Sequence, residues 1–194
     1  MYRAVTLFAM QHGLFNADGS VKTQDLQQQM SHINITFKFN KLTGRPDTYL
    51  NNELVESNIR TLEVSNHVSQ IAAIPFVREA MVAQQQRLGK DKAVVMDGRD
   101  IGTTVFPEAE LKVFVTAPAE VRAQRRYDEL KEKGMPADFN DILKNVEERD
   151  YIDSHREVSP LRKAPDAIEL DNSHMTIAEQ SDWLMKLVKE RIGE

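Results

Sequence analysis

The chain has 194 residues with 41% hydrophobic and 28% charged side chains, which suits one soluble globular domain with excursions and a proper core. It carries no cysteine, no apolar run of the roughly 20 residues that a bilayer crossing needs, and no signal-peptide pattern. These features and the net charge of −5 exclude disulfides, thiolate zinc sites and a cysteine nucleophile, argue against a nucleic-acid polymer or a membrane as partner, and predict a cytoplasmic location.

Helical patterns dominate the first 90 residues of the chain. Residues 1–12 place apolar side chains at helical spacing and precede a glycine, which is common after a helix end. Thr23 is expected to cap a second short helix, and Ser57 to open a third. Pro75 is expected to restart that third helix, because proline is well tolerated in a first helical turn.

A small β meander is predicted to interrupt these helices. In "NITFKFN", Ile35, Phe37 and Phe39 alternate with polar residues, which indicates a half-buried strand. Further on, "TYLNNELV" predicts a hairpin around Asn51 and Asn52. The position of the meander between helices therefore predicts an inserted subdomain.

After residue 90 the pattern alternates between strands and helices. The unbroken apolar runs at 93–97 and 111–115 predict strands that are covered on both faces, as in a parallel sheet. A strongly basic helix is predicted from Ala119, another from an Asn140 cap, then the short strand "DAIELD" and a final amphipathic helix from Thr176. This alternation predicts an α/β layered core.

Asp97, Arg99 and Asp100 lie where the first of these apolar strands ends, in "VVMDGRD". Ligands of parallel α/β sheets bind beyond the carboxyl ends of the strands. Carboxylates there can hold Mg²⁺ through water, and an adjacent arginine can clamp a phosphate. For this motif alone, a polar turn whose aspartate caps a helix is an equally good interpretation.

Two further segments place charged residues on one helical face. In "EERDYIDSHRE", Arg149, Asp153 and Arg156 are spaced by four and three residues, so they share a face. A similar face on the preceding basic helix carries Arg122, Arg125 and Arg126. Taken alone, each face is also consistent with a solvated set of salt bridges.

The motifs resemble a known family when they are read together and in order. The stretches "MYRAVTL", "IRTLEVSNHVSQIAAIPFVREAM", "VVMDGRDIGTTVFPEAELKVFVTA", "RRYDEL" and "RDYIDSHREVSPLRKAPDAIELD" resemble those of the bacterial cytidylate kinases over essentially the whole chain. The resemblance implies a P-loop nucleoside monophosphate kinase that moves the ATP γ-phosphoryl group to CMP or dCMP with Mg²⁺. A monomer is expected.

The resemblance also implies a three-layer, P-loop kinase-type parallel sheet with helices on both faces, a small α+β nucleotide-binding insert and a helical lid. The core would consist of residues 1–31, 90–121 and 161–194. The CMP-binding insert would be 32–89, and the lid 122–160.

Three sets of CMP-binding residues follow from the resemblance. The phosphate set is Arg3 and Arg99. The set for the cytosine edge is Ser69, Arg78, Asp100 and Arg156. The set for the ribose and the neighbouring phosphates is Arg149 and Asp153.

The resemblance further implies residues for phosphoryl transfer. The catalytic arginines would be Arg99, Arg125, Arg126 and Arg149, and those on the lid would arrive when it closes and excludes water. Asp97 resembles the acid that holds Mg²⁺ through its water shell.

The sequence departs from the family at the phosphate-binding loop. No G-x-x-x-x-G-K-[ST] motif occurs in the 194 residues, although this motif cradles the ATP phosphates. Either the reading frame starts at an internal methionine of an ordinary kinase, or the chain is a non-catalytic CMP-binding or protein-interaction remnant. The chain as written is expected to have negligible kinase activity and lower stability than a longer version.

Overall fold

The computed structural model describes residues 1–193 and divides into two compact units. The first unit consists of residues 1–92 and 156–158, and the second consists of 93–155 and the residues from Ser159 onward. Helices, a small antiparallel sheet and a parallel strand pair occur together, which confirms the predicted α/β class. The division of the chain into core, insert and lid stays a prediction.

The first unit contains four α-helices: α1 (Tyr2–Gln11), α2 (Thr23–Gln29), α3 (Leu62–Ala73) and α4 (Pro75–Leu88). The predicted start of the third helix at Ser57 is wrong, because only a 3₁₀ turn forms over Asn58–Arg60. The α-helix begins after Thr61, whose hydroxyl accepts a hydrogen bond from the Val64 amide at 3.3 Å. Thr23 is the first residue of α2 and not its cap.

The predicted meander is present as three antiparallel strands in the order β1 (Ile35–Asn40), β2 (Arg45–Leu50) and β3 (Glu53–Leu54). Asn51 and Asn52 both adopt positive φ, 49° and 70°, as the turn between β2 and β3 requires. Burial along β1 differs from the prediction, because Phe37 and Phe39 are 39% and 68% exposed. Only the end of the sheet that carries Ile35 joins the apolar core, and the rest of the hairpin extends beyond it.

The core of the first unit lies between its helices and the base of the meander. Its fully buried members include Val5 on α1, Leu26 on α2, Ile71 on α3 and Val77 on α4. Apolar residues at helical spacing supply these contacts, as the sequence pattern indicates. This packing fixes α1, α3 and α4, the helices that carry Arg3, Ser69 and Arg78.

The second unit contains a parallel pair, β4 (Val113–Thr116) with β5 (Ile168–Asp171), and three α-helices, α5 (Ala119–Glu132), α6 (Phe139–His155) and α7 (Ile177–Ile192). Helices α5 and α6 pack through Ala123, Leu130, Ile142 and Val146. The cap of α6 is Asp138 and not Asn140, since the Asp138 carboxylate accepts from the Asp141 amide at 3.0 Å.

The predicted strand at 93–97 is not formed in the structure. Among the residues described, this segment has no ladder partner, and a strand without one leaves its backbone groups unpaired. Lys92 and Ala93 adopt left-handed φ values of 57° and 51°, and Val95 is 99% exposed. On β4, Val115 is 48% exposed. The prediction that this strand is covered on both faces is therefore wrong.

None of the helices in the described part of the chain combines the length and the apolar character that a bilayer crossing requires.

Candidate active site

Arg3 lies on α1 in the first unit, and its guanidinium is held at the start of α3. Its Nη1 donates to the Ile59 carbonyl and to the Ser65 hydroxyl, each at 2.9 Å. Ser65 is fully buried in the first turns of α3. The Ile59 carbonyl and the Ser65 hydroxyl thus help to position the guanidinium of Arg3.

Ser69 and Arg78 lie close to the far end of α3. The Ser69 side chain is 3% exposed, and its hydroxyl has no hydrogen-bond partner among the described residues. Arg78, on α4, is 1% exposed, donates from Nη1 to the Ala72 carbonyl at 2.9 Å, and lies 5.2 Å above the Tyr2 ring. Both residues therefore involve α3, since Ser69 lies on this helix and the Ala72 carbonyl of the same helix anchors Arg78.

Arg156 also belongs to the first unit, although the helix that precedes it belongs to the second. Its side chain is buried. The first unit therefore contains one predicted phosphate ligand and three of the four residues predicted to recognise the cytosine edge.

In the second unit, Asp97 ends the segment at 93–97, Arg99 and Asp100 follow it, and the three residues differ in exposure. Asp97 and Arg99 are exposed, whereas Asp100 is 3% exposed. The backbone carbonyl of Asp100 accepts from Thr104 at 2.9 Å and begins a π-helical turn over Ile101–Val105. Its carboxylate makes no capping bond to that turn, so helix capping does not explain this aspartate.

Arg99 connects this segment to α6. Its Nε donates to the Asp153 carboxylate at 3.1 Å, and the Asp153 side chain is only 4% exposed. Arg149 lies one turn before Asp153, and its Nε is shielded from solvent without a hydrogen-bond partner in the part of the chain described. The interpretation of this helical face as a solvated set of salt bridges is therefore wrong for Arg149 and Asp153.

Arg99, Arg126 and Arg149, named here the arginine cluster, concentrate positive charge in the second unit. Burial, followed by the charge of Arg99, lowers the pKa of Arg149 to about 10, although Asp153 acts in the opposite direction. Arg126 adds to the repulsion. Burial also lowers the pKa of Arg126 itself. Burial and the repulsion from neighbouring arginines both disfavour the charged form of Arg149, so a bound anion would be stabilised there.

The other two arginines of α5 are occupied by protein partners. Arg122 makes a bidentate pair with Asp150 at 3.0 and 2.6 Å. Arg125 donates to the Asn172 side chain at 3.0 Å and to the Asn172 carbonyl at 2.5 Å. The catalytic role of Arg125 stays a prediction, and it requires these bonds to be released.

Sequence reasoning missed two polar residues of α6 that contact these arginines. Asn145 accepts from Arg126 Nη1 at 3.1 Å, and Asp150 holds Arg122. The signal for Asn145 was present, because it lies four residues before Arg149 and so shares its helical face. No cluster of three or more His, Asp or Glu side chains suited to a metal occurs among residues 1–193.

Comparison with known proteins connects these residues to one family. A sequence model of the family described as cytidylate kinase matches residues 1–190. A cytidylate kinase of Bacteroides fragilis is 63% identical over 185 residues, covering 95% of this chain and 80% of that protein. Those of Porphyromonas gingivalis and Flavobacterium johnsoniae are 59% and 55% identical, with coverage of 100% and 98% of this chain and of 84% and 82% of theirs.

Proposed function

The chain belongs to the cytidylate kinase family of enzymes, and from this premise we propose that it transfers the γ-phosphoryl group of ATP to CMP or dCMP, giving ADP and CDP or dCDP. One observation of this structure carries the CMP half of the proposal. The Ser69 hydroxyl is buried in the first unit without a hydrogen-bond partner among the described residues. A buried hydroxyl in that condition is costly unless a ligand completes its bonding.

The polar groups of the first unit suit a cytosine and a phosphate. Cytosine presents a carbonyl oxygen and a ring nitrogen that accept hydrogen bonds, and an amino group that donates. The guanidinium groups of Arg78 and Arg156 donate, and the Ser69 hydroxyl can do either. Arg3, which donates to the Ile59 carbonyl and to the Ser65 hydroxyl, is proposed to bind the phosphate of CMP.

The second unit offers hydrogen-bond acceptors for the nucleoside and positive charge for phosphoryl transfer. The buried Asp100 carboxylate is proposed to accept from the cytosine amino group, and Asp153 from the ribose. The arginine cluster is proposed to neutralise the charge that spreads over the phosphoryl oxygens during transfer. Phosphoryl transfer by this route needs no covalent bond to the protein, because the protein only positions the reactants and neutralises their charge.

Asp97 fits the Mg²⁺ that the family reaction implies. Mg²⁺ retains several waters and needs only one or two carboxylates, and an exposed single carboxylate meets that requirement. Asp97 would hold the ion through its water shell, and the ion would supply positive charge that offsets the negative charge of the phosphates. We propose a cytoplasmic, monomeric enzyme.

A non-catalytic CMP-binding or protein-interaction role is the second candidate. It is favoured by the lack of a G-x-x-x-x-G-K-[ST] motif in the 194 residues, since that motif holds the ATP phosphates.

The first test of CMP binding is Ser69→Ala. Removing a hydroxyl that lacks a protein partner is expected to leave the thermal midpoint unchanged, while the dissociation constant for CMP rises roughly tenfold. Ser65→Ala is the matched control on the same helix, because the Ser65 hydroxyl accepts from Arg3 and its loss is expected to lower the midpoint. Calorimetric titration with CMP and thermal melting measure both. Unchanged CMP affinity in Ser69→Ala would remove the observation on which the proposal rests.

Turnover separates the two candidate functions. The 194-residue chain is expected to bind CMP but to form no measurable CDP from CMP, ATP and Mg²⁺, because the phosphate-cradling loop is not among its residues. Chromatographic detection of CDP, with a B. fragilis relative as positive control, tests this. CDP formation above background would establish the kinase activity for this chain and contradict the expectation of inactivity.

A further inference from the structure

The bond between Asn145 and Arg126 joins α5 to α6 inside the second unit. Asn145 is 7% exposed, and its side-chain oxygen accepts from Arg126 Nη1 at 3.1 Å. We propose that Asn145 is a positioning residue that fixes Arg126 with a neutral acceptor and so keeps the charge of that arginine available to a phosphate-bearing ligand. This inference rests on the proposed function, in which the arginine cluster binds phosphoryl groups.

The partners of the neighbouring arginine show why a neutral acceptor matters. On the same pair of helices, Arg122 is held by Asp150 in a bidentate ion pair, which neutralises it. An aspartate at position 145 would do the same to Arg126, because an aspartate and an asparagine have the same shape and reach. The chain thus holds one arginine with a carboxylate and the other with an amide. The two arginines are four residues apart on α5, and their partners Asn145 and Asp150 are five residues apart on α6.

The electrostatic environment of Arg126 favours the binding of an anion. Burial lowers the pKa of Arg126, and the charge of Glu129 acts in the opposite direction. Arg126 also repels Arg149, whose Nε has no hydrogen-bond partner within the described residues. Two shielded guanidinium groups that repel one another are stabilised when a polyanion binds both.

Asn145→Asp tests the proposal, because it should weaken anion binding without lowering thermal stability. The substitution keeps the acceptor and adds a charge beside Arg126. We expect the dissociation constant for inorganic tripolyphosphate to rise about tenfold at low salt. We expect the thermal midpoint to stay the same or to rise by about 2 °C, because a buried cation gains a counter-ion. A purely structural asparagine would instead lose stability without a selective loss of anion binding.

Two other variants and a second ligand complete the experiment. Asn145→Ala removes the acceptor without adding charge, so a loss of about threefold in tripolyphosphate affinity is expected. Asp150→Asn, the matched control, weakens the Arg122 pair and should lower the midpoint without weakening tripolyphosphate binding. Binding of CMP and of cytidine to the same proteins reports on the proposed function separately.

The outcomes distinguish the two claims. If the wild-type chain binds tripolyphosphate but not CMP, the proposed substrate is wrong, and Asn145→Asp still decides the role of Asn145. If Asn145→Asp binds tripolyphosphate as tightly as wild type, or loses affinity together with its thermal stability, the positioning role is overturned. If the wild-type chain binds neither ligand, both claims are overturned.

Discussion

Arg149→Met is expected to make the protein harder to unfold and to weaken its binding of CMP. Burial and the charge of Arg99 lower the pKa of Arg149 to about 10, which corresponds to roughly 3 kcal/mol against the charged form. Methionine fills similar space without a charge. Replacing a poorly compensated buried ion in this way often raises the free energy of unfolding by about 1 to 3 kcal/mol. The loss of a charged donor should weaken phosphate binding by about tenfold to a hundredfold.

The pH dependence of this effect follows from the direction of the shift. Arg149 is protonated in both the folded and the unfolded protein at any pH well below 10, so its unfavourable contribution is present in full there. As the pH rises above about 10, Arg149 releases its proton in the folded protein before it does so in the unfolded protein, and that contribution is lost. The stability difference between Arg149→Met and wild type is therefore expected to be the same at pH 7 and at pH 9.

Urea unfolding at these two pH values measures the difference, and Arg122→Met is the matched control. Arg122 holds Asp150 with two bonds, so removing it leaves a half-buried carboxylate without that partner and should lower the free energy of unfolding. If Arg149→Met raises the free energy of unfolding and Arg122→Met lowers it, Arg149 is destabilising and Arg122 is stabilising. If both substitutions lower the free energy of unfolding, neighbouring groups stabilise the buried charge of Arg149 better than its contacts indicate.

The sequence predicted the elements whose signals are local. The helical spacing in residues 1–12, the Asn51-Asn52 turn and the strand "DAIELD" each depend on a few neighbouring residues, and each is present. The shared face of Arg149 and Asp153 was predictable for the same reason. Their burial was not, because it depends on Arg99, which is 50 residues away from Arg149 in the chain.

Features that depend on distant partners were predicted less well. The apolar run at 93–97 has strand composition, but a strand also needs a neighbour to bond, and none pairs with it among residues 1–193. Phe37 and Phe39 have the alternation of a buried face, yet only the Ile35 end of that face reaches the core. Ser69 and Arg78 gave no signal beyond a polar helix edge, and they were singled out only through the family resemblance.

Arg78→Met is expected to reduce both the affinity for CMP and the preference for CMP over UMP. The guanidinium is buried and anchored on the Ala72 carbonyl, so its position is fixed before a ligand binds. A fixed donor suits the carbonyl oxygen and ring nitrogen of cytosine, whereas the corresponding ring nitrogen of uracil carries a hydrogen and cannot accept. We expect the dissociation constant for CMP to rise about a hundredfold, and that for UMP to change much less.

Arg78→Lys separates charge from geometry in this prediction. Lysine keeps the positive charge but lacks the planar set of donors, so it should retain CMP affinity poorly and discriminate little between CMP and UMP. Calorimetric titration of both nucleotides, with urea unfolding to confirm that each variant is folded, gives the comparison. The Ala72 carbonyl loses its donor in Arg78→Met, so a fall of about 1 to 3 kcal/mol in unfolding free energy is expected. Equal losses of CMP and UMP affinity in both variants would assign Arg78 to the phosphate or to the fold, and not to recognition of the base.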